Sequence, residues 1–238
     1  MTPSVAIVLP YRSDGGHRDR LWFEQVRPFW ETTFPNWTIS VGQHDDGPFN
    51  RSAAINTAVN RIKKHDVYLI VDNDSLPDPS AVKQAVRTCF ASEYAVVAHS
   101  QRFMLKQGFT FEVLNGKKRV EEAKQSDIQD TYYESVSCCL AITRSMWDAT
   151  GGFDERFVGW GFEDSAFAIA LSIATGDSKL LKVDATNYHL WHEMQPEHVF
   201  NKKADAEAVQ RRQANLELLR RYEDAERSHD KLGALRAI

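Results

Sequence analysis

The chain has 238 residues, of which 42% are hydrophobic and 26% are charged, a balance typical of a globular protein with a sizeable core. A formal net charge of -4 gives no general attraction to phosphate backbones, which disfavours bulk nucleic-acid binding. No apolar stretch approaches the roughly 18 residues of a membrane span, and the first apolar run is too short for a signal peptide. These features predict a cytoplasmic protein without a membrane span.

Apolar strands and helices alternate along the first hundred residues. Continuous apolar, β-branched runs predict strands at 5–9, 37–41, 67–71 and 94–98. Helical spacing of apolar residues predicts helices over 19–30, 50–63 and 79–90. This βαβ rhythm favours an α/β fold with a mostly parallel sheet and helices on both faces.

The second half of the chain interrupts this rhythm. Glycine and charged residues predict a hairpin or a mobile excursion over 104–134, before a strand returns to the core at 135–143. Further periodicity predicts a helix over 163–175, a strand at 180–183 and a charged helix from residue 202 onward. No repeat or low-complexity linker divides the chain, so the sequence predicts a single domain over 1–238.

Two carboxylates follow the predicted third strand. Asp72 and Asp74 are two positions apart, so an extended backbone would direct both side chains toward one cation or one diphosphate. An EF-hand loop starting at Asp72 is excluded, because Pro77 stands where glycine is needed and Lys83 where a bidentate glutamate is needed. The same residues are also good turn formers, so a structural reading of this D-x-D pattern remains open.

Two histidines, His189 and His192, come shortly after the predicted strand at 180–183. One carboxylate from Asp74 with one or two imidazoles would suit Mn²⁺ better than Ca²⁺ or Mg²⁺. Without the carboxylate pair, two histidines beside a tryptophan would more often be hydrogen-bonded core residues.

The stretch G-W-G-F-E-D at 159–164 places Trp160 between two glycines, directly before two acids. Glu163 and Asp164 at a helix start would be favourable for the helix dipole alone. That explanation leaves the tryptophan unexplained, whereas a lid that closes over a ligand would use both the aromatic ring and the flexible glycines.

The ordered set of motifs resembles the carboxyl-terminal galactosyltransferase segment of the β-1,4-galactosyltransferases. The family's F-N-R-x-x-x-x-N helix is similar to 49–56, its D-V-D metal motif to 72–74 and its G-W-G-x-E-D segment to 159–164. Chondroitin-type polymerases and polypeptide N-acetylgalactosaminyltransferases share parts of this pattern.

The resemblance implies a GT-A fold, in which a mostly parallel central sheet is flanked by helices and followed by a C-terminal helix. It implies a nucleotide-sugar-binding half over 1–100, an acceptor and catalytic half over 101–200 and a helical extension over 201–238. The implied activity is a hexosyltransferase that uses a UDP-sugar and Mn²⁺, or another divalent cation, and an acceptor glycan, protein or other hydroxyl-bearing molecule.

The resemblance also implies roles for individual residues. Asp74 and His192 would bind the metal, His189 would occupy the place of a methionine ligand, Glu163 would contact the sugars and Asp164 would be the catalytic base. The residues implied to bind the donor are Pro10, Tyr11, Arg12, Asp46, Arg51, Asp72 and Trp160.

Two positions depart from the family pattern. Phe162 replaces a glycine and Ser165 replaces a third acid, so the family's sugar and acceptor contacts do not carry over. The retaining polypeptide transferases have Glu-Asn where this chain has Glu163 and Asp164, which favours inversion. The alternatives are a retaining transferase of that type and a sugar-nucleotide binding module without catalysis.

Overall fold

A computed structural model describes residues 2–62, 64–133, 136–176, 180–196, 198, 202–203, 205–228 and 232–236. The first half contains, in chain order, β1 (Val5–Pro10), α1 (His17–Leu21), a π-helical turn (Trp22–Val26), α2 (Arg27–Thr33), β2 (Thr38–Gly42), α3 (Arg51–Asn60), β3 (Val67–Val71), β4 (Ser75–Pro77), α4 (Pro79–Ser92) and β5 (Ala95–Val97).

The second half contains β6 (Gln101–Leu105), α5 (Gln107–Leu114), two 3₁₀ turns (Val120–Glu122 and Gln125–Asp127), β7 (Ile128–Tyr132), β8 (Cys139–Thr143), α6 (Arg144–Thr150), α7 (Glu163–Thr175), β9 (Leu180–Lys182), β10 (Thr186–His189), α8 (Ala206–Ser228) and α9 (Leu232–Arg236). None of the described helices combines the length and the apolar character that crossing a bilayer requires.

A six-stranded sheet in the order β2-β1-β3-β8-β5-β9 forms the centre of the fold. β8 is antiparallel to both of its neighbours, whereas the other pairs are parallel, so five of the six strands run in one direction. The predicted α/β fold with a mostly parallel sheet is therefore confirmed. The carboxyl ends of β1, β2 and β3 meet at one edge, where ligands bind in open α/β sheets.

A second sheet, in the order β4-β10-β6-β7, was not predicted. β6 and β7 pair as antiparallel strands around α5, so the predicted excursion over 104–134 is a hairpin with a helix inserted. β10 pairs with β4 and β6, which makes His189 the last residue of a strand rather than part of a following loop. These strands are short and partly polar, which explains why sequence periodicity did not detect them.

Some predicted boundaries shift. Asn50 caps α3 by accepting a hydrogen bond from the Ala53 amide at 2.9 Å, and the helix ends at Asn60 rather than at residue 63, which lies outside the described residues. The strand predicted at 135–143 begins at Cys139, and residue 135 also lies outside the description. The C-terminal helix begins at Ala206 rather than at residue 202.

Hydrophobic cores cover both faces of the central sheet. Alternate residues of β1 point to opposite faces, with Ile7 and Leu9 in one cluster and Ala6 and Val8 in the other. A third cluster joins α7 to the C-terminal helices α8 and α9. β9 pairs with β5, so strands from both predicted halves share one sheet, and the boundaries predicted at residues 100 and 200 stay predictions.

The contact between β2 and α3 places the amino end of α3 at the binding edge of the sheet. A Cβ atom at Gly42 would lie 1.7 Å from the carbonyl oxygen of Ala54. We expect Gly42→Ala to reduce the free energy of unfolding by about 1–3 kcal/mol or more, the cost of overpacking. Urea denaturation measures this loss.

Gly108→Ala is the matched control. A Cβ at this helical position would meet no atom within 4 Å, so the substitution should stabilise the protein by about 0.5–1 kcal/mol. Similar unfolding free energies for the two variants would contradict the proposed close approach at Gly42.

Candidate metal centre and acid cluster

Asp74, His189 and His192 form a compact group with ligand atoms within 4.8 Å of one another. Asp74 Oδ1 lies 3.3 Å from His189 Nε2, and Asp74 Oδ2 lies 3.1 Å from His192 Nε2. The antiparallel pairing of β4 with β10 brings these residues together, and the Leu190 amide donates to the Asp74 carbonyl at 2.8 Å. All three residues predicted as metal ligands therefore meet at one point.

The donor set suits a divalent transition metal. His192 Nδ1 lies 2.7 Å from the Glu193 carbonyl and 2.9 Å from Arg18 Nη2, while His192 Nε2 lies 3.1 Å from Asp74. One carboxylate and two imidazoles match the preferences of Mn²⁺ and similar ions. Arg18, which the sequence did not indicate, lies 3.8 Å from Asp74 and contacts His192.

The ionisation of the group also favours metal binding. Burial opposes the charge on Asp74, but His189, His192 and Arg18 outweigh it and hold the pKa of this carboxyl far below its usual range. Burial lowers the pKa of His189 to about 4, against the opposing effect of Asp74. The site therefore presents a carboxylate and a neutral imidazole, which are the forms that bind metals.

Arg51 links the first half of the chain to the acids of the G-W-G-F-E-D segment. Its Nη2 donates to Asp72 at 2.6 Å, and its Nη1 donates to Asp164 at 2.6 Å and lies 3.5 Å from Glu163. Asp72 thus faces Arg51 whereas Asp74 faces the histidines, which is a correction to the expectation that both carboxylates address one ligand. The turn at Asn73 and Asp74 ends the extended backbone and separates the two directions.

Burial raises the pKa of both acids at the start of α7. The pKa of Glu163 rises to about 7, first because of burial and then because of the neighbouring charge of Asp164. The pKa of Asp164 is also raised by burial, although Arg51 opposes the shift. Both acids therefore hold a proton more strongly than exposed carboxyl groups do, and the charge of Arg51 opposes the shift at each of them.

Two asparagines of α3 hold the loop that leads to these acids. Asn50 donates to the Glu155 carbonyl at 2.7 Å, and Asn56 exchanges hydrogen bonds with the backbone of Phe153 at 2.9 and 3.0 Å. The F-N-R-x-x-x-x-N pattern therefore has a physical reason, because its asparagines position the loop while Arg51 binds the acids.

The segment 158–162 lies against α8. Asn215, which the sequence did not indicate, donates to the carbonyls of Val158 and Gly161 at 3.0 and 3.3 Å. The Trp160 ring packs against His198 in a tilted arrangement, with ring centroids 4.5 Å apart and planes at 51°. Gly159 and Gly161 adopt φ of 78° and 104°, a region that favours glycine, so the backbone path itself requires these two residues.

Phe162 also adopts a left-handed conformation, with φ of 76°. This is the position at which the galactosyltransferase motif has glycine. A non-glycine residue in this region carries backbone strain. The Arg212 guanidinium lies over the Phe162 ring, 5.2 Å from its centroid. Arg212 also lies 6.0 Å from the Trp160 ring, so it holds both aromatic residues.

The residues implied to bind the nucleotide follow β1 and β2. Pro10 ends β1 beside Gly42, and Tyr11 is buried with its hydroxyl donating to Asp19 at 2.6 Å. Arg12 donates to the Gly47 carbonyl at 2.6 Å, which joins the two loops, and Asp46 is exposed next to it. The structure brings these residues to one edge, and their contact with a nucleotide stays a prediction, as does that of Trp160.

Known proteins resemble this chain in sequence over one segment and in fold over most of its length. Residues 117–193 match the family model described as the N-terminal domain of galactosyltransferase. No curated protein sequence matches the chain. The resemblance to galactosyltransferases predicted from the motifs is therefore confirmed over this part of the chain, and the relationship to chondroitin polymerases stays a prediction.

Solved structures share the fold at low sequence identity. A Drosophila β-1,4-galactosyltransferase 7 in complex with manganese, UDP-Gal and xylobiose is 16% identical, with a TM-score of 0.54 over 84% of this chain and 77% of that one. Glucosyl-3-phosphoglycerate synthase from Mycobacterium tuberculosis, in complex with phosphoglyceric acid, is 15% identical, with a TM-score of 0.53 over 90% and 79%. The predicted GT-A fold is confirmed by these two structures.

The Arg51 network generates a stability prediction. Arg51→Met would leave Asp72 and Asp164 without their shared cation, and removing one partner of a buried ion pair costs about 3–5 kcal/mol. Urea denaturation of the variant should show this loss.

Arg27→Met is the control, because Arg27 forms a 2.8 Å pair with Glu31 in which both side chains are about half exposed. We expect this change to alter the unfolding free energy by less than about 1 kcal/mol. Equal, small losses in the two variants would show that the buried network contributes little to stability.

Proposed function

We propose that this chain, a glycosyltransferase of GT-A fold, transfers a hexose or N-acetylhexosamine from a UDP-sugar to an acceptor hydroxyl, with a divalent metal and inversion at the anomeric carbon. The observation that carries the proposal is the bridge formed by Arg51. It joins Asp72, two residues before the metal ligand Asp74, to the acid pair of α7. A site for a diphosphate and a site for a base therefore lie on one cleft.

The donor end of the cleft consists of Asp74, His189 and His192, which would hold the metal. A divalent ion held by these residues would supply positive charge to offset the negative charge that develops on the departing diphosphate. Arg18 is close enough to the same carboxylate to donate its planar fork to phosphate oxygens. The loops that contain Arg12 and Asp46 lie at the ends of the adjacent strands and would contact the uridine.

The acceptor end of the cleft contains the two acids. In an inverting transfer, the acceptor oxygen attacks the anomeric carbon, the bond to the diphosphate breaks with its electron pair, and the acceptor proton moves to a base. Asp164 takes that role because Arg51 holds one of its oxygens at 2.6 Å and favours its ionised form. Glu163, whose pKa is raised to about 7, would in its protonated form donate a hydrogen bond to a sugar oxygen.

The metal requirement gives the first test. In calorimetry with Mn²⁺, the wild-type protein should bind UDP, and chelation of the metal or Asp74→Ala should abolish that binding. Asp148→Ala, at an exposed position on α6, should leave the UDP affinity unchanged. Equal UDP affinity with and without metal would contradict the proposed role of the Asp74, His189 and His192 group.

The base assignment gives the second test. Asp164→Asn keeps the size of the side chain but cannot accept a proton, so UDP affinity should persist while transfer falls by about two to four orders of magnitude. Ser165→Ala, at the exposed neighbouring position, should reduce transfer much less. Near-normal transfer by Asp164→Asn would remove both the base and the argument for inversion.

The pH dependence of transfer provides an independent measurement. Burial raises the pKa of Asp164, and only the ionised form can accept the acceptor proton. The rate should therefore rise with pH through a pKa above the ordinary value of about 4 for aspartate. A profile that is flat down to pH 4, in a protein that remains folded, would contradict this assignment.

A further inference from the structure

A cluster of buried polar side chains without partners lies beside the metal centre. Asn187 is completely buried, and neither its amide nitrogen nor its amide oxygen has a hydrogen-bond partner in the described part of the chain. The same is true of both ring nitrogens of His99, which is 1% exposed, and of Arg102 Nε. We call these three residues the polar cluster.

The small sheet brings the polar cluster together. Asn187 and Arg102 are directly opposed in the pairing of β10 with β6, so their side chains lie next to each other on one face of the sheet. His189 is two residues after Asn187 on β10 and is therefore on the same face. Arg102 and Asp72 both influence the pKa of His99, which places this imidazole in the same electrostatic environment.

Cys138 closes the other side of the cluster. Its thiol accepts a hydrogen bond from Arg102 Nη1 at 2.8 Å, and its backbone carbonyl accepts one from the Asp72 amide at 3.1 Å. Cys138 has φ of 73°, a conformation that is strained for a residue with a side chain and that concentrates at functional sites. The strained backbone and the unpartnered polar atoms thus occur together.

The charges around the polar cluster leave Arg102 available for an anion. Among the described residues, the contacts of its guanidinium are the Cys138 thiol and the Tyr132 ring, 5.1 Å away, and no carboxylate lies within ion-pair distance. Asp72 is already paired with Arg51, and Asp74 is paired with the histidines and Arg18. Within the described part of the chain, Arg102 is therefore a cation without an acidic partner in ion-pair contact.

The chemistry of the three side chains defines the ligand. Arg102 offers a planar fork of N–H donors, Asn187 offers an amide N–H, and burial lowers the pKa of His99 to about 4, so its neutral ring offers one further N–H. A planar anion with two oxygens satisfies such a donor set, because Arg binds carboxylates in a bidentate manner. A neutral hydroxyl has one oxygen and would accept fewer of these hydrogen bonds than a carboxylate. The buried N–H donors left without a partner would then cost free energy.

We propose that the polar cluster binds a carboxylate of the substrate, carried either by a hexuronate donor or by an acidic acceptor. The inference rests on the proposed function, because Asn187 lies on the same face of β10 as His189, one of the residues proposed to hold the metal. It assigns Arg102 as the residue that decides between acidic and neutral substrates.

The test compares acidic and neutral substrates of the same shape. In the donor arm, calorimetry with Mn²⁺ measures the affinities for UDP, UDP-glucose and UDP-glucuronate. In the acceptor arm, glucose and glucuronic acid are compared as acceptors for the better of these donors. In one arm the wild-type protein should prefer the acidic partner by about tenfold or more, because charge-assisted hydrogen bonds discriminate strongly.

Arg102→Gln should abolish this preference while the affinity for UDP alone stays within about twofold of wild type, since UDP lacks the carboxylate. Arg102→Lys, which keeps the charge without the fork, should retain part of the preference and replaces Arg102→Gln in the comparison if the latter does not fold. The control is Arg61→Gln, an exposed arginine that donates to the Val41 carbonyl.

Three results decide the proposal. A preference in the donor arm or in the acceptor arm that is lost in Arg102→Gln supports it and identifies the source of the carboxylate. The absence of a preference in both arms of the wild-type protein, or a preference that persists in Arg102→Gln, overturns it. Failure of the wild-type protein to bind UDP at all would instead contradict the proposed function and is visible in the same titrations.

Discussion

The arrangement of Asp72, Glu163 and Asp164 depends on one buried cation, Arg51. The Arg51 guanidinium bonds to Asp72 and Asp164 at 2.6 Å and approaches Glu163 at 3.5 Å, and its side chain is only 14% exposed. Without that cation, three carboxylates would repel one another in a medium that stabilises charge poorly. Placement of Arg51 at the start of α3 therefore decides where the end of β3 and the start of α7 lie relative to each other. The asparagines on the same helix extend this control to the loop at 153–155.

The small sheet performs a second positioning task. Its pairing of β10 with β4 places His189 opposite the residue that follows Asp74, and its pairing of β10 with β6 places Asn187 opposite Arg102. The small sheet thus presents the predicted metal ligands and the polar cluster side by side. A shift of the β10 register by one residue would move the side chains of Asn187 and His189 to the opposite face of the sheet, so the register of this strand fixes both groups.

The backbone around the cleft has strained points at Cys138 and Phe162 as well as glycines with positive φ. At Phe162 the ring packs under Arg212, and at Cys138 the thiol binds Arg102, so each side chain uses the unusual backbone direction for a contact. A glycine at either position would relieve the strain but remove the contact. Asn215 on α8 holds the carbonyls of the segment 158–162, so opening of this segment requires the loss of these hydrogen bonds.

Local sequence patterns were sufficient for the larger elements. The apolar runs of β1 and β3 and the amphipathic spacing of α4 and α7 depend on residues close together in the chain, and the structure has them near the predicted positions. The sequence also indicated the acids after β3 and the histidine pair as candidate ligands, because charged and metal-binding residue types stand out directly after an apolar strand. The motif order added the expectation of a GT-A fold.

Contacts between distant parts of the chain were decided only by the tertiary structure. Arg51 contacts Asp164, 113 positions away in the sequence, and Arg18 contacts His192, 174 positions away. The sequence did not reveal these pairs, because an arginine in a buried ion pair cannot be told from a surface arginine by residue type. Asp72 and Asp74 looked like one ligand set, but a turn between them directs one to Arg51 and the other to the histidines. The sequence by itself determined the elements and the chemical types available at their ends. The packing of the two sheets decided which of those groups meet, because a charge is stable in the interior only where partners from other parts of the chain surround it.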